Sequence, residues 1–135
     1  MFEWKDEYAT GIPGIDAQHK NLFAAARELH AALSAGQARE MTSSLLDRLI
    51  QYTVAHFQHE EELMERHRYP ELFQHRAEHE DLKRQAAQFR ADFAAGKTGT
   101  TIRLLPFLSR WLEHHILGSD LKYAAVLRGR IPVAR

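Results

Sequence analysis

Four stretches of this chain repeat apolar residues in alternating steps of three and four. Each stripe is interrupted by histidine or a carboxylate where a core residue belongs. The stripes are His19, Leu22, Ala26, Leu29, Leu33; Leu45, Leu49, Tyr52, His56, Glu60, Leu63, His67; Leu72, His75, His79, Leu82, Ala86, Phe89, Phe93; and Leu104, Leu108, Trp111, His115. That period belongs to amphipathic α-helices, and no segment alternates as a strand would. Four such helices with short connections predict an all-α, antiparallel up-and-down four-helix bundle preceded by an N-terminal arm.

The boundaries follow from caps and breakers. Residues 1–15 read as the arm, carrying Phe2, Trp4 and Tyr8 and closing on Gly11-Ile12-Pro13-Gly14. Asp16 is the expected N-cap of a first helix that runs to about Leu33 and ends at Gly36. The second helix is expected from about Glu40 to His67. Pro70 turns the chain into a third that stops near Gly96-Lys97-Thr98-Gly99. In the fourth, Pro106 must lie in the first turn or mark a kink. Gly118 loosens its end, and 121–135, with Gly129 and Pro132, read as an irregular tail. At 135 residues the whole chain, 1–135, is expected to be a single domain.

Composition removes several function classes. Eighteen basic residues balance eighteen acidic ones, which gives no footprint for nucleic acid. No run of about 18 apolar residues predicts a membrane span, and the charged start is unlike a secretory leader. The chain has no cysteine, so disulfides, thiolate ligands and iron–sulfur clusters are excluded and a cytoplasmic setting is expected. Its nine histidines are the anomaly.

Six core-stripe positions are ligand-type residues: His19, His56, Glu60, His75, His79 and His115. Pairs four residues apart, His56 with Glu60 and His75 with His79, leave a helix on the same face. One buried histidine is usually a hydrogen-bonded core residue, but six polar groups across four helices need a common partner. Counted at about 1.5 Å per residue from turns near Gln37, Tyr69 and Thr98, all six fall within about one helical turn of a single level. The level and the residue types predict a metal site. Asp120 is a further candidate. Five residues on from His115 it would point off that direction on an ideal helix, and Gly118 permits a departure.

Five imidazoles and two carboxylates exceed the four ligands usual for one zinc ion, and calcium and magnesium prefer oxygen alone. The mixture suits two iron ions, since carboxylates can bridge them. The Glu-x-x-His pairs of ferritin-like di-iron bundles do not occur. The zinc-peptidase pattern H-x-x-E-H does, at His75-Arg76-Ala77-Glu78-His79 with Glu78 as its base, but it leaves His19, His56, Glu60, His115 and Asp120 unexplained.

The ordered set of motifs resembles the hemerythrin family, in its single-domain bacterial form. It comprises Ile15-Asp16-Ala17-Gln18-His19, Tyr52 through His56-Phe57 to Glu60-Glu61 and Met64, His75-x-x-x-His79, and Trp111-Leu112-Glu113-His114-His115-Ile116 with Asp120. The resemblance implies that His75, His79 and His115 bind one iron and that His19 and His56 bind the other. Glu60 and Asp120 would bridge them together with an oxo or hydroxo group. That ligand set leaves one open position, on the iron with two histidines, where O2 would bind. Phe57, Trp111 and Ile116 are candidates for a dry lining. Gln18 and Glu61 are candidates to orient ligand imidazoles. His30, His59, His67 and His114 lie off the ligand positions, His67 being the nearest to a supporting place.

The function expected is reversible O2 binding, for carriage, storage, delivery or sensing, rather than catalysis. The expected partners are O2 and an oxidase or reductase protein, with no nucleic acid, and the chain is expected to be a monomer. The alternatives are a di-iron enzyme acting on peroxide or nitric oxide, for which Tyr52 is the proton donor to check, and an iron-homeostasis protein.

Overall fold

The computed structural model describes residues 2–36, 39–97 and 99–129. Gln37 and Thr98, at two of the expected turns, and residues 130–135 of the expected tail lie outside the described residues. Helix α1 spans Pro13–Ser34, α2 Arg39–Arg66, α3 Leu72–Ala94, α4 Thr100–His114 and α5 Leu121–Leu127. Between α4 and α5, His115–Asp120 continue the same rod as a π-helix. No strand occurs among the described residues. α1 packs on α2, α2 on α3, α3 on α4, and α4 back on α1, which closes a four-helix bundle. No helix among the described residues is long and apolar enough to cross a membrane.

Helix α1 starts at Pro13, three residues before the expected cap. Proline at the first helical position sacrifices an N–H that has no partner there in any case. Asp16 therefore sits inside the first turn, and its carboxylate reaches back to the arm. It accepts from the Thr10 N–H and hydroxyl, both at 2.7 Å, and from the Gly11 N–H at 3.3 Å. Gly11 has φ +82°, and a Cβ on it would stand 2.9 Å from Arg128 Cδ, so the arm lies close against the chain just past α5.

The expected tail begins as a helix. Tyr123, Ala124 and Leu127 of α5 are fully buried. Pro106 lies in the second turn of α4, beyond the first turn where its missing N–H would go unnoticed. The buried face of α2 is turned by one residue from the expected stripe: Leu46, Leu49, Thr53, His56, Phe57, Glu60 and Met64 face inward. Tyr52 is 45% exposed, which removes it as a proton donor to the core.

The apolar core is split in two. A large cluster holds Leu22, Phe23, Leu29, Leu49, Phe57, Leu108 and Trp111, with the arm residues Phe2 and Tyr8. Tyr8 stacks on Phe23 with ring centroids 5.3 Å apart. A smaller cluster holds Ile12, Ile15, Met64, Tyr69, Tyr123 and Leu127. His19, Glu60, His75, His79 and Asp120 fall between the two sets along their helices, and His56 and His115 sit at the edge of the large cluster beside Phe57 and Ile116.

Candidate metal centre

The layer between the clusters contains His19, His56, Glu60, His75, His79, His115 and Asp120, all buried. α1 supplies His19, α2 supplies His56 and Glu60, α3 supplies His75 and His79, and the π-helix supplies His115 and Asp120. The π winding brings Asp120 in. Its repeat of i to i+5 places residues five apart nearly one above the other, where an α-helix would swing them well apart.

Ligand-capable atoms lie within 4.8 Å of one another in two groups. One is Glu60, His75, His79, His115 and Asp120; the other is His19, His56, Glu60 and Asp120. Both carboxylates belong to both groups. His19 Nε2 is 2.9 Å from Asp120 Oδ2, and His56 Nε2 is 2.8 Å from Glu60 Oε1. His75 Nε2 and His115 Nε2 are 3.2 and 3.1 Å from Asp120 Oδ1.

These close approaches are poorly aligned as hydrogen bonds. His19 Nδ1 and Nε2, His56 Nε2, His75 Nε2 and both oxygens of Glu60 and Asp120 have no hydrogen-bond partner. Leaving eight buried polar atoms unsatisfied would cost roughly 8–24 kcal/mol at about 1–3 each. A typical domain is stable by about 5–15 kcal/mol in total. Lone pairs that crowd together without bonding one another are aimed at points between them, which is the arrangement cations require.

The outer ring nitrogens support this reading. His56 Nδ1–H donates to Gln18 Oε1 at 2.7 Å, His79 Nδ1–H to Glu61 Oε2 at 2.9 Å, and His115 Nδ1–H to Glu78 Oε1 at 2.7 Å. Each bond leaves the proton on Nδ1 and a lone pair on Nε2. With both rings neutral, the Nε2 atoms of His79 and His115 face each other at 3.0 Å with no proton between them. Gln18 and Glu61 thus orient imidazoles as anticipated. Gln18 also donates to His59 Nδ1.

Glu78 is a supporting residue that the sequence did not reveal. It takes the His115 proton and the Ser119 hydroxyl, at 2.7–2.8 Å, instead of acting as a peptidase base. Tyr123 is a second. Its hydroxyl is buried without a hydrogen-bond partner, and burial together with the Glu60 and Asp120 charges holds its pKa well above the usual range. His30 meets Phe2 of the arm edge-on at 6.0 Å, and His114 is exposed. Neither joins the layer, nor do His59 and His67.

Charge in the layer behaves as a metal-poised set would. Burial and the neighbouring Asp120 both oppose ionisation of Glu60, yet His56 and His115 hold it down to about 2. Burial also opposes the charges of Asp120 and His115. Their mutual attraction prevails, so Asp120 lies well below and His115 well above the ordinary values. A proton on His115 partly offsets the carboxylates, a task that suits a cation.

Beside the two-histidine group Leu22, Phe57, Trp111, Leu112 and Ile116 close an apolar pocket so tightly that no water-sized space remains, with His19, His56, His115 and Asp120 on its polar wall.

Comparison with known proteins gives a consistent result. The family described as the hemerythrin HHE cation binding domain matches residues 10–127. The chain is 36% identical to a bacteriohemerythrin of Stenotrophomonas maltophilia over 97% of its own length and 84% of that protein. It is 33% identical to one of Methylococcus capsulatus, over 90% and 92% respectively. A solved wild-type hemerythrin superposes with a TM-score of 0.82 at 32% identity, covering 91% of this chain and 95% of that one.

Proposed function

This chain belongs to the hemerythrin family, and from that premise we propose that it binds O2 reversibly at a non-haem di-iron centre in a single domain spanning 1–135. His75, His79 and His115 would hold one iron and His19 and His56 the other, with Glu60 and Asp120 shared between the two sites. The observation that carries this reading is the sharing of Glu60 and Asp120 between two otherwise separate groups, one with three histidines and one with two. When bound, the iron pair would supply the metal coordination and the electrons that O2 binding needs.

The remaining chemistry belongs to the chain itself. Gln18, Glu61 and Glu78 fix which nitrogen of each imidazole faces inward. Leu22, Phe57, Trp111, Leu112 and Ile116 keep water from the two-histidine side, which favours release of O2 over its further reaction. Beyond the ligand-type residues this pocket is lined by apolar side chains, with no acid–base group beside them to drive turnover. That supports a binding protein over an enzyme. The same reading carries a cytoplasmic monomer whose protein partners are an oxidase that takes O2 or a reductase that restores the ferrous state.

Stopped-flow mixing of the diferrous protein with O2, followed by degassing, tests the proposal. Uptake reversed by degassing is expected. Rapid irreversible conversion to the diferric form, with peroxide released or consumed, would move the assignment to an enzyme.

A further inference from the structure

One helical turn from the ligand layer, on the side of the large core cluster, α2, α3 and α4 surround a second cavity of about 20 Å³. Its walls include Leu49 and Thr53 of α2, Leu82, Ala86 and Phe89 of α3, and Trp111 of α4. The void has a plain origin. Ala86 is the small member of the α3 stripe, between Leu82 and Phe89, and leaves space that a larger aliphatic side chain would fill.

The space is large enough for a water-sized molecule, which needs roughly 10–15 Å³. A water there would also need two to four polar partners. The Thr53 hydroxyl donates to the Leu49 carbonyl at 2.8 Å and keeps only its acceptor side. The buried indole N–H of Trp111 is without a hydrogen-bond partner and is the one donor left on these walls. One donor and one acceptor are the least that could hold a water, so this otherwise apolar space favours small apolar molecules such as xenon.

Its position gives the cavity a use. Trp111 lines both this space and the pocket beside His19 and His56, so its indole is a wall they share. The indole packs edge-on against Phe57 with ring centroids 6.0 Å apart.

We propose that this cavity is a holding site for a small apolar gas, dioxygen in the cell, which reaches the two-histidine side of the metal layer past Trp111. The inference rests on the O2-binding reading above. It assigns Ala86 a role in O2 traffic although Ala86 touches none of the ligand-type residues.

The test uses the iron-loaded protein. Crystals held under xenon should show xenon in contact with Ala86 and Trp111, and Ala86→Leu and Ala86→Phe should each abolish that density. In solution both variants should keep the iron absorption of the parent. Their O2 association and dissociation rates should fall together, on the order of tenfold for Ala86→Phe, with the equilibrium unchanged because a route alters both directions equally. The milder Ala86→Leu keeps the test open if the phenylalanine variant misfolds. No xenon in the parent cavity, or unaltered O2 rates in a variant that has lost its xenon, would overturn the proposal. Failure of the parent protein to take up O2 at all would instead remove the reading beneath it, whatever the xenon result.

Discussion

The three-histidine side of the layer and the two-histidine side share one pair of carboxylates but are backed by different groups. Behind His79 and His115 stand the carboxylates Glu61 and Glu78, tied in turn to Arg76 and Ser119. Behind His56 stands the neutral amide of Gln18, and His19 Nδ1 has no hydrogen-bond partner. A carboxylate behind an imidazole makes it a stronger donor and locks its ring. On the proposed assignment the three-histidine side would hold its iron more tightly, and the two-histidine side is left softer beside the apolar pocket. The asymmetry would then separate a structural duty from a ligand-binding one within a single buried layer.

The largest effect should come from residues that belong to both sides. Glu60→Ala and Asp120→Ala should each lose most of the iron, because neither group is complete without them. His56→Ala and His79→Ala should disrupt the centre from one side only at first. Metal analysis after gel filtration reads this. A Glu60→Ala protein that keeps its full iron content would break the shared-carboxylate account.

Removing the metal should expose the cost of the polar layer. Loaded protein should be more stable by roughly 4 kcal/mol when metal stands a thousandfold above its Kd. The pH profile of the metal-free form sharpens the comparison, because the groups pull in opposite directions. Burial lowers the pKa of His79 to about 4, so the unfolded chain binds more protons and stability falls as pH drops from about 6.5 to 4. Glu60, held at about 2, adds a loss as pH falls from its ordinary range toward 2. His115, held high by Asp120 and Glu60 against its burial, gives the reverse: its contribution is present at low pH and lost as pH rises through its folded value. Urea titrations across pH should show both slopes without metal and lose the alkaline one with it, since iron replaces the proton on His115. An alkaline slope that survives loading would contradict this.

The outer partners should rank by charge. Glu78→Gln or Glu61→Gln should weaken metal binding about 10–100-fold, the range typical of such groups. Gln18→Leu, which removes a neutral bond, should cost less. Equal losses in a chelator competition would erase the distinction between the two sides.

Most of the layer was legible in the sequence because its residues obey helical spacing, which the sequence carries directly. His19, His56, Glu60, His75, His79 and His115 sit in stripes, and a stripe is a local property. Asp120 was harder, since its approach depends on a π-helix that spacing on an ideal helix argues against. Glu78 was read within its own helix, where it completes a peptidase pattern, whereas its partner His115 lies across the bundle. Tyr52 failed for the opposite reason. One residue of rotation moved it to solvent, and periodicity alone cannot fix a helix's facing that closely. α5 was hidden by Gly118 and Gly129, although Asp120, Ala124 and Leu127 continue the same stepping.

The smallest effect should come from the histidines outside the layer. His30→Ala and His114→Ala should leave iron content and O2 uptake as in the parent, as both are remote from the ligand-type groups. Loss of iron from His114→Ala with retention in His115→Ala would invert the assigned facing of the last helix.

The central claim is tested most directly by metal analysis combined with Mössbauer spectroscopy on protein grown with ample iron. The account predicts about two irons per chain, as expected of a mixed imidazole and carboxylate site with bridging oxygens. It also predicts two unequal iron signals in the oxygenated form that merge into a ferrous spectrum on degassing. One zinc per chain without oxo-bridged iron absorption, or equivalent irons that stay ferric after degassing, would contradict it.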